Sequence, residues 1–156
     1  MPAIAVPTPA TSPRYLAPGR FTRRVFNPAV ARLAKWGVSV TGTRLLDVPG
    51  RQSGVVRTTV VNVLDHDGDR YLVAPRGTTQ WVRNLRAADG VATLRLGGRH
   101  EPIAAVELAD ADKVAVLRAY LAAWAWEVGQ FFPGLSAHSP ASAIEAAAPG
   151  FPVFRL

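Results

Sequence analysis

Alternation of apolar and polar positions dominates the middle of the chain. Leu45–Val48 and Arg57–Leu64 are β-rich runs separated by a small polar loop, Gly50-Arg51-Gln52-Ser53-Gly54. A third run, Arg70–Ala74, follows Asp65-His66-Asp67-Gly68-Asp69. The alternating carboxylates of that segment look like a calcium loop, but no glutamate stands downstream at the spacing an EF-hand needs. An Asp-Gly pair between two alternating runs predicts a hairpin instead. Val91–Leu96 and Arg99–Glu107 flank Gly97-Gly98 as a second hairpin, and Phe151–Arg155 reads as a last strand.

Elsewhere the period changes from two to three or four. Thr79–Ala87 reads as a short helix, with Thr78 or Thr79 as its cap and Trp81 and Leu85 one turn apart on one face. Asp110–Glu127 is the longest helix signal, opening on acidic residues and repeating Val114, Leu117, Leu121 and Trp124. Phe131–Ala141 is a loop holding two prolines, and Ala143–Ala148 is a further short helix. Near the start, Asn27-Pro28 opens a helix that runs to about Trp36, with Val30 and Leu33 on one face and Gly37 able to end it.

Composition narrows the class. At 156 residues and 49% hydrophobic, the chain is one domain's worth of soluble globular sequence. No apolar run reaches the ~18–20 residues of a membrane span. Met1–Pro13 holds four prolines and no charge, which is not the make-up of a signal peptide. Residues 1–19 are therefore expected to be a disordered Pro-rich tail, with 20–156 as a single cytoplasmic domain. The absence of cysteine excludes disulfides, thiolate metal sites and a Cys nucleophile.

Charge is unevenly placed. Residues 1–57 hold nine cations and one acid, and 58–156 hold nine cations and ten acids, so the net +7 belongs to the N-terminal third. Arg20, Arg23 and Arg24 stand among Phe21, Val25 and Phe26 there. That segment has two readings: a helix packed on the rest of the domain, or a peripheral contact with an anionic membrane.

The Gly50–Gly54 loop is the candidate anion site. Glycine at each end frees backbone N–H groups to face an anion, and Arg51, Arg57 and Arg76 stand where three guanidiniums can meet a phosphate or carboxylate. An exposed turn rich in Gly and Arg is the plainer reading of the same residues.

Gly50-Arg51-Gln52-Ser53-Gly54, then Arg57-Thr58-Thr59, then Trp81-x-x-Asn84-Leu85 resemble the deazaflavin-dependent nitroreductase family. The likeness continues through Val91–Glu107 to Phe151-Pro-Val-Phe-Arg155 and covers roughly the last two-thirds of the chain. It implies an α+β fold, mainly β: a split β-barrel of about six antiparallel strands with flanking helices. It also implies coenzyme F420 as cofactor and hydride transfer to a quinone, nitroaromatic or enone acceptor. The family often has lysine where this chain has Gln52, and its loop before the tryptophan is longer.

By the same resemblance, the cofactor site comprises Arg51, Gln52, Ser53, Gly54, Arg57, Thr58, Ala74, Pro75, Arg76, Gly77, Trp81 and Asn84. Arg51 and Arg57 would grip the anionic tail, and the end of the third strand would run beside the deazaflavin. Trp81 is either an apolar wall or core packing, and Asn84 is a ligand contact, a clamp on the preceding loop, or a plain turn residue. Trp124, Trp126 and Phe131 are candidates for an acceptor pocket or for plain core. Trp124 and Trp126 point to different sides of a helix, so they cannot both be core.

Little else in the sequence carries chemistry. His66, His100 and His138 lack metal-ligand spacing, and no nucleophile elbow, P-loop or dinucleotide fingerprint is present. No protein catalytic residue is expected, because a cofactor would carry the hydride. Two other classes stay open: an FMN-binding split barrel, and a non-catalytic basic module for a membrane surface or RNA. Nucleic acid is not an expected partner, since the strands show few aromatics interleaved with arginine.

Overall fold

The computed structural model describes residues 42–156. The expected tail over 1–19, the basic segment before Asn27 and the helix from Pro28 lie outside the described residues. Seven strands make one antiparallel sheet in the order β5-β4-β1-β2-β3-β7-β6. They are β1 (Thr43–Pro49), β2 (Val56–His66), β3 (Asp69–Val73), β4 (Val91–Leu96), β5 (Arg99–Ala104), β6 (Val106–Glu107) and β7 (Val153–Arg155). Among the described residues three helices flank it: α1 (Gln80–Ala87), α2 (Val114–Val128) and α3 (Ala141–Ala147).

β2 holds the two halves together. Its first part ladders with β1, from Pro49↔Val56 to Thr43↔Asn62, and its last four residues ladder with β3. The turn between β2 and β3 puts Asp67 at φ 50° and Gly68 at φ 81°. Two successive positive φ values are what a two-residue hairpin turn demands, and Asp-Gly supplies them.

The one-residue alternation of each strand feeds two separate cores. Val61 and Val63 of β2, Leu72 of β3 and Phe154 of β7 enter the barrel interior with Leu46, Val48, Leu94 and Ile103. Their neighbours Leu64, Tyr71, Val73 and Val153 face outward, where α2 and α3 cover them with Leu117, Tyr120, Leu121, Trp124 and Ile144. Both faces of the middle strands are therefore buried. In the outer core Phe132 stacks on Phe151 at 4.1 Å between ring centres.

The expected strand Arg99–Glu107 is two strands, which raises the count from six to seven. Ala105 interrupts it, donating its N–H to Gly90 O at 2.8 Å. A Cβ on Gly90 would sit 1.9 Å from the Ala105 carbonyl oxygen, and the residue's φ is +81°, so only glycine fits. Beyond that pinch the chain leaves β4 and joins β7, with Val106 opposite Arg155. The two edges of the sheet are thus one residue apart in the chain, and the sheet curls into a split barrel.

The long helix begins later than its acidic start suggests. Asp110–Asp112 form a single 3₁₀ turn, and α2 starts at Val114. Lys113, at the junction, is buried, and its ammonium donates to Asp110 Oδ1 at 2.7 Å and Ala148 O at 3.2 Å. A buried ammonium needs these oxygens, and the tighter turn brings the aspartate within reach. The last helix starts at Ala141, just after Pro140, and the last strand is shortened to Val153–Arg155. No helix among the described residues is long and apolar enough to cross a membrane.

Candidate active site

The Gly50–Gly54 loop closes on itself. Gly50 N donates to Val55 O and Gly54 N donates to Gly50 O, each at 2.8 Å. Ser53 Oγ accepts from Val55 N at 3.2 Å, and Gly54 takes φ +71° to complete the turn. Gly50 is tightly enclosed: a Cβ there would lie 3.1 Å from both Ser53 Oγ and Val55 O.

α1 fastens the loop from the other side. Val82 and Leu85 are fully buried beneath this helix, each contributing about 1.5–3 kcal/mol. The same face carries Asn84, 5% exposed, whose Oδ1 accepts from Arg51 N at 3.2 Å and from Arg51 Nη1 at 2.9 Å. Arg51 Nη1 also donates to Gln80 Oε1 at 2.8 Å. Asn84 is therefore the clamp on the loop. Trp81 serves as core and as wall: it leans on Phe154 with ring centres 5.9 Å apart and faces the cavity described next.

Between this loop, the inner run of β2, the end of β3, α1 and the last turn of α2 lies a cavity of about 910 Å³. Of the expected cofactor residues, Arg51, Gln52, Ser53, Arg57, Thr58, Ala74, Pro75, Arg76, Trp81 and Asn84 line it. Gly54 and Gly77 do not; each is a turn residue with positive φ, and Gly77 shapes the entry to α1 by donating to Ala74 O at 3.1 Å. Trp126 and Phe131 from the acceptor set line the cavity too, but Trp124 does not. Trp124 is 5% exposed and packs on Tyr120 at 5.1 Å, so its place is the outer core. Trp126, 69% exposed, stands at the cavity instead.

Thr58 is committed to a polar trio. Its Oγ1 donates to Asp47 Oδ1 at 2.6 Å, and Arg95 pairs with the same carboxylate. Burial pulls the Asp47 carboxyl upward, but the hydrogen bonds from Arg95 and Thr58 outweigh it and hold the group below its ordinary range. The Arg57 side chain, by contrast, is exposed on the cavity wall, and its guanidinium makes no hydrogen bond or ion pair among the described residues.

Sequence reasoning missed part of the wall. Thr59, Val60, Val61 and Asn62 continue β2 along it, and Thr79, Gln80, Tyr120, Glu127 and Gln130 complete it. Thr79 holds the N-cap position of α1, yet its hydroxyl does not cap the helix and is buried with no hydrogen bond among the described residues. Glu127 had one visible signal: it is the sole carboxylate of α2 and stands in its last turn, where the helix dipole disfavours a negative charge. Among the described residues no cluster of His, Asp and Glu could hold a metal.

The described residues form a split barrel with a cavity beside the glycine loop, and a family match makes the chain an oxidoreductase. The model of the F420H(2)-dependent quinone reductase family matches residues 22–130, and the chain belongs to that family. Its cofactor is accordingly coenzyme F420. Among solved structures, one described as a domain-swapped dimer is 17% identical, with a TM-score of 0.52 over 82% of this chain and 93% of that one. A protein of unknown function from Agrobacterium tumefaciens is 19% identical, with a TM-score of 0.53 over 93% of this chain and 58% of that one. An F420-H2 dependent reductase, FDR-A, is 20% identical, with a TM-score of 0.48 over 76% of this chain and 98% of that one. The first two likenesses show the fold alone. No curated protein matches the chain.

The residues present suit such a cofactor. The volume is that of a cofactor cleft, the walls join apolar strand residues to three arginines, and the Thr79 hydroxyl has a hydrogen bond still to make.

Proposed function

We propose that this cavity holds F420 and that the acceptor reduced there is a quinone. The observation that carries the reading is the make-up of one wall. Arg51, Arg57 and Arg76 come from the loop, β2 and the end of β3, while Trp126 and Phe131 come from the end of α2 and the turn after it.

Reduced F420 supplies the hydride when bound; the chain supplies placement. Arg51 Nε and Nη2 and the whole Arg57 guanidinium point to charge-assisted bonds with the anionic tail of the cofactor. The fixed Gly50–Gly54 turn offers backbone N–H groups beside them. Strand residues along the cavity wall give the flat ring an apolar bed, and Trp81 limits its tilt. Trp126 and Phe131 offer faces on which a flat quinone can stack and shed water.

Fluorescence titration with F420 tests the first half. Micromolar or tighter binding is expected, about −8 kcal/mol, weakening as salt is raised. Turnover of a soluble naphthoquinone against a nitroaromatic and a cyclic enone tests the second. The quinone is expected to give the highest kcat/KM, and preference for either of the others would replace it as the acceptor.

A further inference from the structure

Glu127 is a carboxylate in an unusual place. It lies in the last turn of an otherwise apolar helix, half-buried on the wall of the cavity, between Trp126 and the buried Val128. Asn62, on β2, lines the same cavity wall and favours the charged form of the carboxyl. Asn62 is itself held: its Oδ1 accepts from Thr43 Oγ1 at 3.1 Å, so its amide NH₂ remains to donate. Thr43 and Asn62 thus join β1 to β2 beside the cavity that Glu127 also lines.

We infer that Glu127 is the proton donor of this site, delivering a proton to the acceptor oxygen as hydride arrives. The inference rests on the quinone reading above. Reducing a quinone to a quinol takes one hydride and one proton. The hydride adds to one end of the conjugated system, and an electron pair moves on to the carbonyl oxygen at the other. The O–H bond of the Glu127 carboxyl breaks toward that oxygen, leaving carboxylate. Solvent at the exposed Trp126 side returns the proton, and the cofactor leaves oxidised by the loss of its hydride.

A carboxyl group suits this task better the more firmly it holds its proton, and the surroundings favour the protonated form. Burial raises the Glu127 carboxyl above its ordinary value, and Asn62 lowers it by less. Tyr120, on the same helix and cavity wall, is pushed up first by burial and then by the Glu127 charge, so the two groups sense each other. Other ionisable groups stand on the elements packed against α2: Arg57, Asp65 and His66 of β2, and Asp69, Arg70 and Tyr71 of β3. Asp110 and Asp112 of the preceding turn and Glu145 of α3 complete them, with Arg51 and Arg76 on the cavity wall. Among these neighbours, burial and Asn62 are what act on the Glu127 carboxyl.

The experiment uses wild type, Glu127→Gln and Asn62→Ala. In the protein without cofactor, infrared titration of the carboxylic-acid band should place one group above the ordinary value of 4.5, and Glu127→Gln should abolish it. With F420H2 and a soluble quinone, wild-type kcat/KM should fall as pH rises through that same value. Glu127→Gln should lose about a hundredfold in rate and flatten this limb while F420 binds as tightly as before. Asn62→Ala removes the polar group that favours carboxylate and should move the limb to higher pH, a shift that a merely structural role would not produce. It also decides the matter if Glu127→Gln does not fold. Normal quinone turnover with an unchanged limb in both variants overturns the proton-donor role and leaves the quinone reading standing. A wild type that binds F420 but reduces no quinone overturns both.

Discussion

Asn84 holds Arg51 by two atoms at once: one amide oxygen accepts the backbone N–H at 3.2 Å and the guanidinium at 2.9 Å, across 33 positions of sequence. The bond joins the anion loop to α1, so loop geometry and helix position are a single variable. The family resemblance gives Arg51 a contact with the cofactor's anionic tail. Two of its contacts go to Gln80 and Asn84, which aims the rest of the guanidinium.

Asn84→Ala should therefore act on both stability and binding. It takes the acceptor from the part-buried Arg51 N–H and from the Arg51 guanidinium and loosens the loop, costing about 1–3 kcal/mol and lowering Tm by several degrees. The F420 dissociation constant should rise at least tenfold with it. Calorimetry and fluorescence titration on one preparation check the pair, and a lowered Tm with unaltered binding would make Asn84 a packing residue only.

Arg57→Ala should separate the two effects. Its guanidinium is exposed and makes no bond among the described residues, so Tm should stay within about a degree of wild type. Loss of a charge-assisted contact with the cofactor should weaken binding by about 1.5–3 kcal/mol and flatten its salt dependence. Titration at two ionic strengths reads both.

Trp124 and Trp126 make an internal control two positions apart. Trp124→Ala opens the outer core beneath Tyr120 and should cost about 3–5 kcal/mol. Trp126→Ala removes an exposed ring and should leave stability within about 0.5 kcal/mol while raising the acceptor KM. Urea denaturation and steady-state kinetics distinguish them.

Asp47→Asn tests the trio that steadies β1, β2 and β4. The Asp47 carboxyl lies below its ordinary 3.8 in the folded protein, so its contribution is present above that value and is lost as pH falls through the lowered one. The variant should be less stable than wild type by about 1–3 kcal/mol at pH 7. The gap should close in acid once the wild-type carboxyl is protonated. Melting curves at successive pH values follow it, and a constant gap would assign the loss to packing.

Local pattern was enough for most elements of the described residues and for much of one cavity wall. Period-two alternation marked the strands, Asp-Gly and Gly-Gly marked their turns, and Gly50–Gly54 with Arg57 marked part of the cavity lining, because each signal is written within a few residues. The finer assignments depended on contacts distant in sequence. That Arg99–Glu107 is two strands follows from Gly90 lying against Ala105, an approach no local pattern contains. Trp124 and Trp126 share a helix and a composition. Only the packing of α2 on β2 and β3 sends one into the core and leaves the other at the cavity. Asn62 and Glu127 looked like a strand residue and a helix end; the packing of α2 on β2 set both on one cavity wall, and the burial that follows raises the carboxyl above its ordinary value.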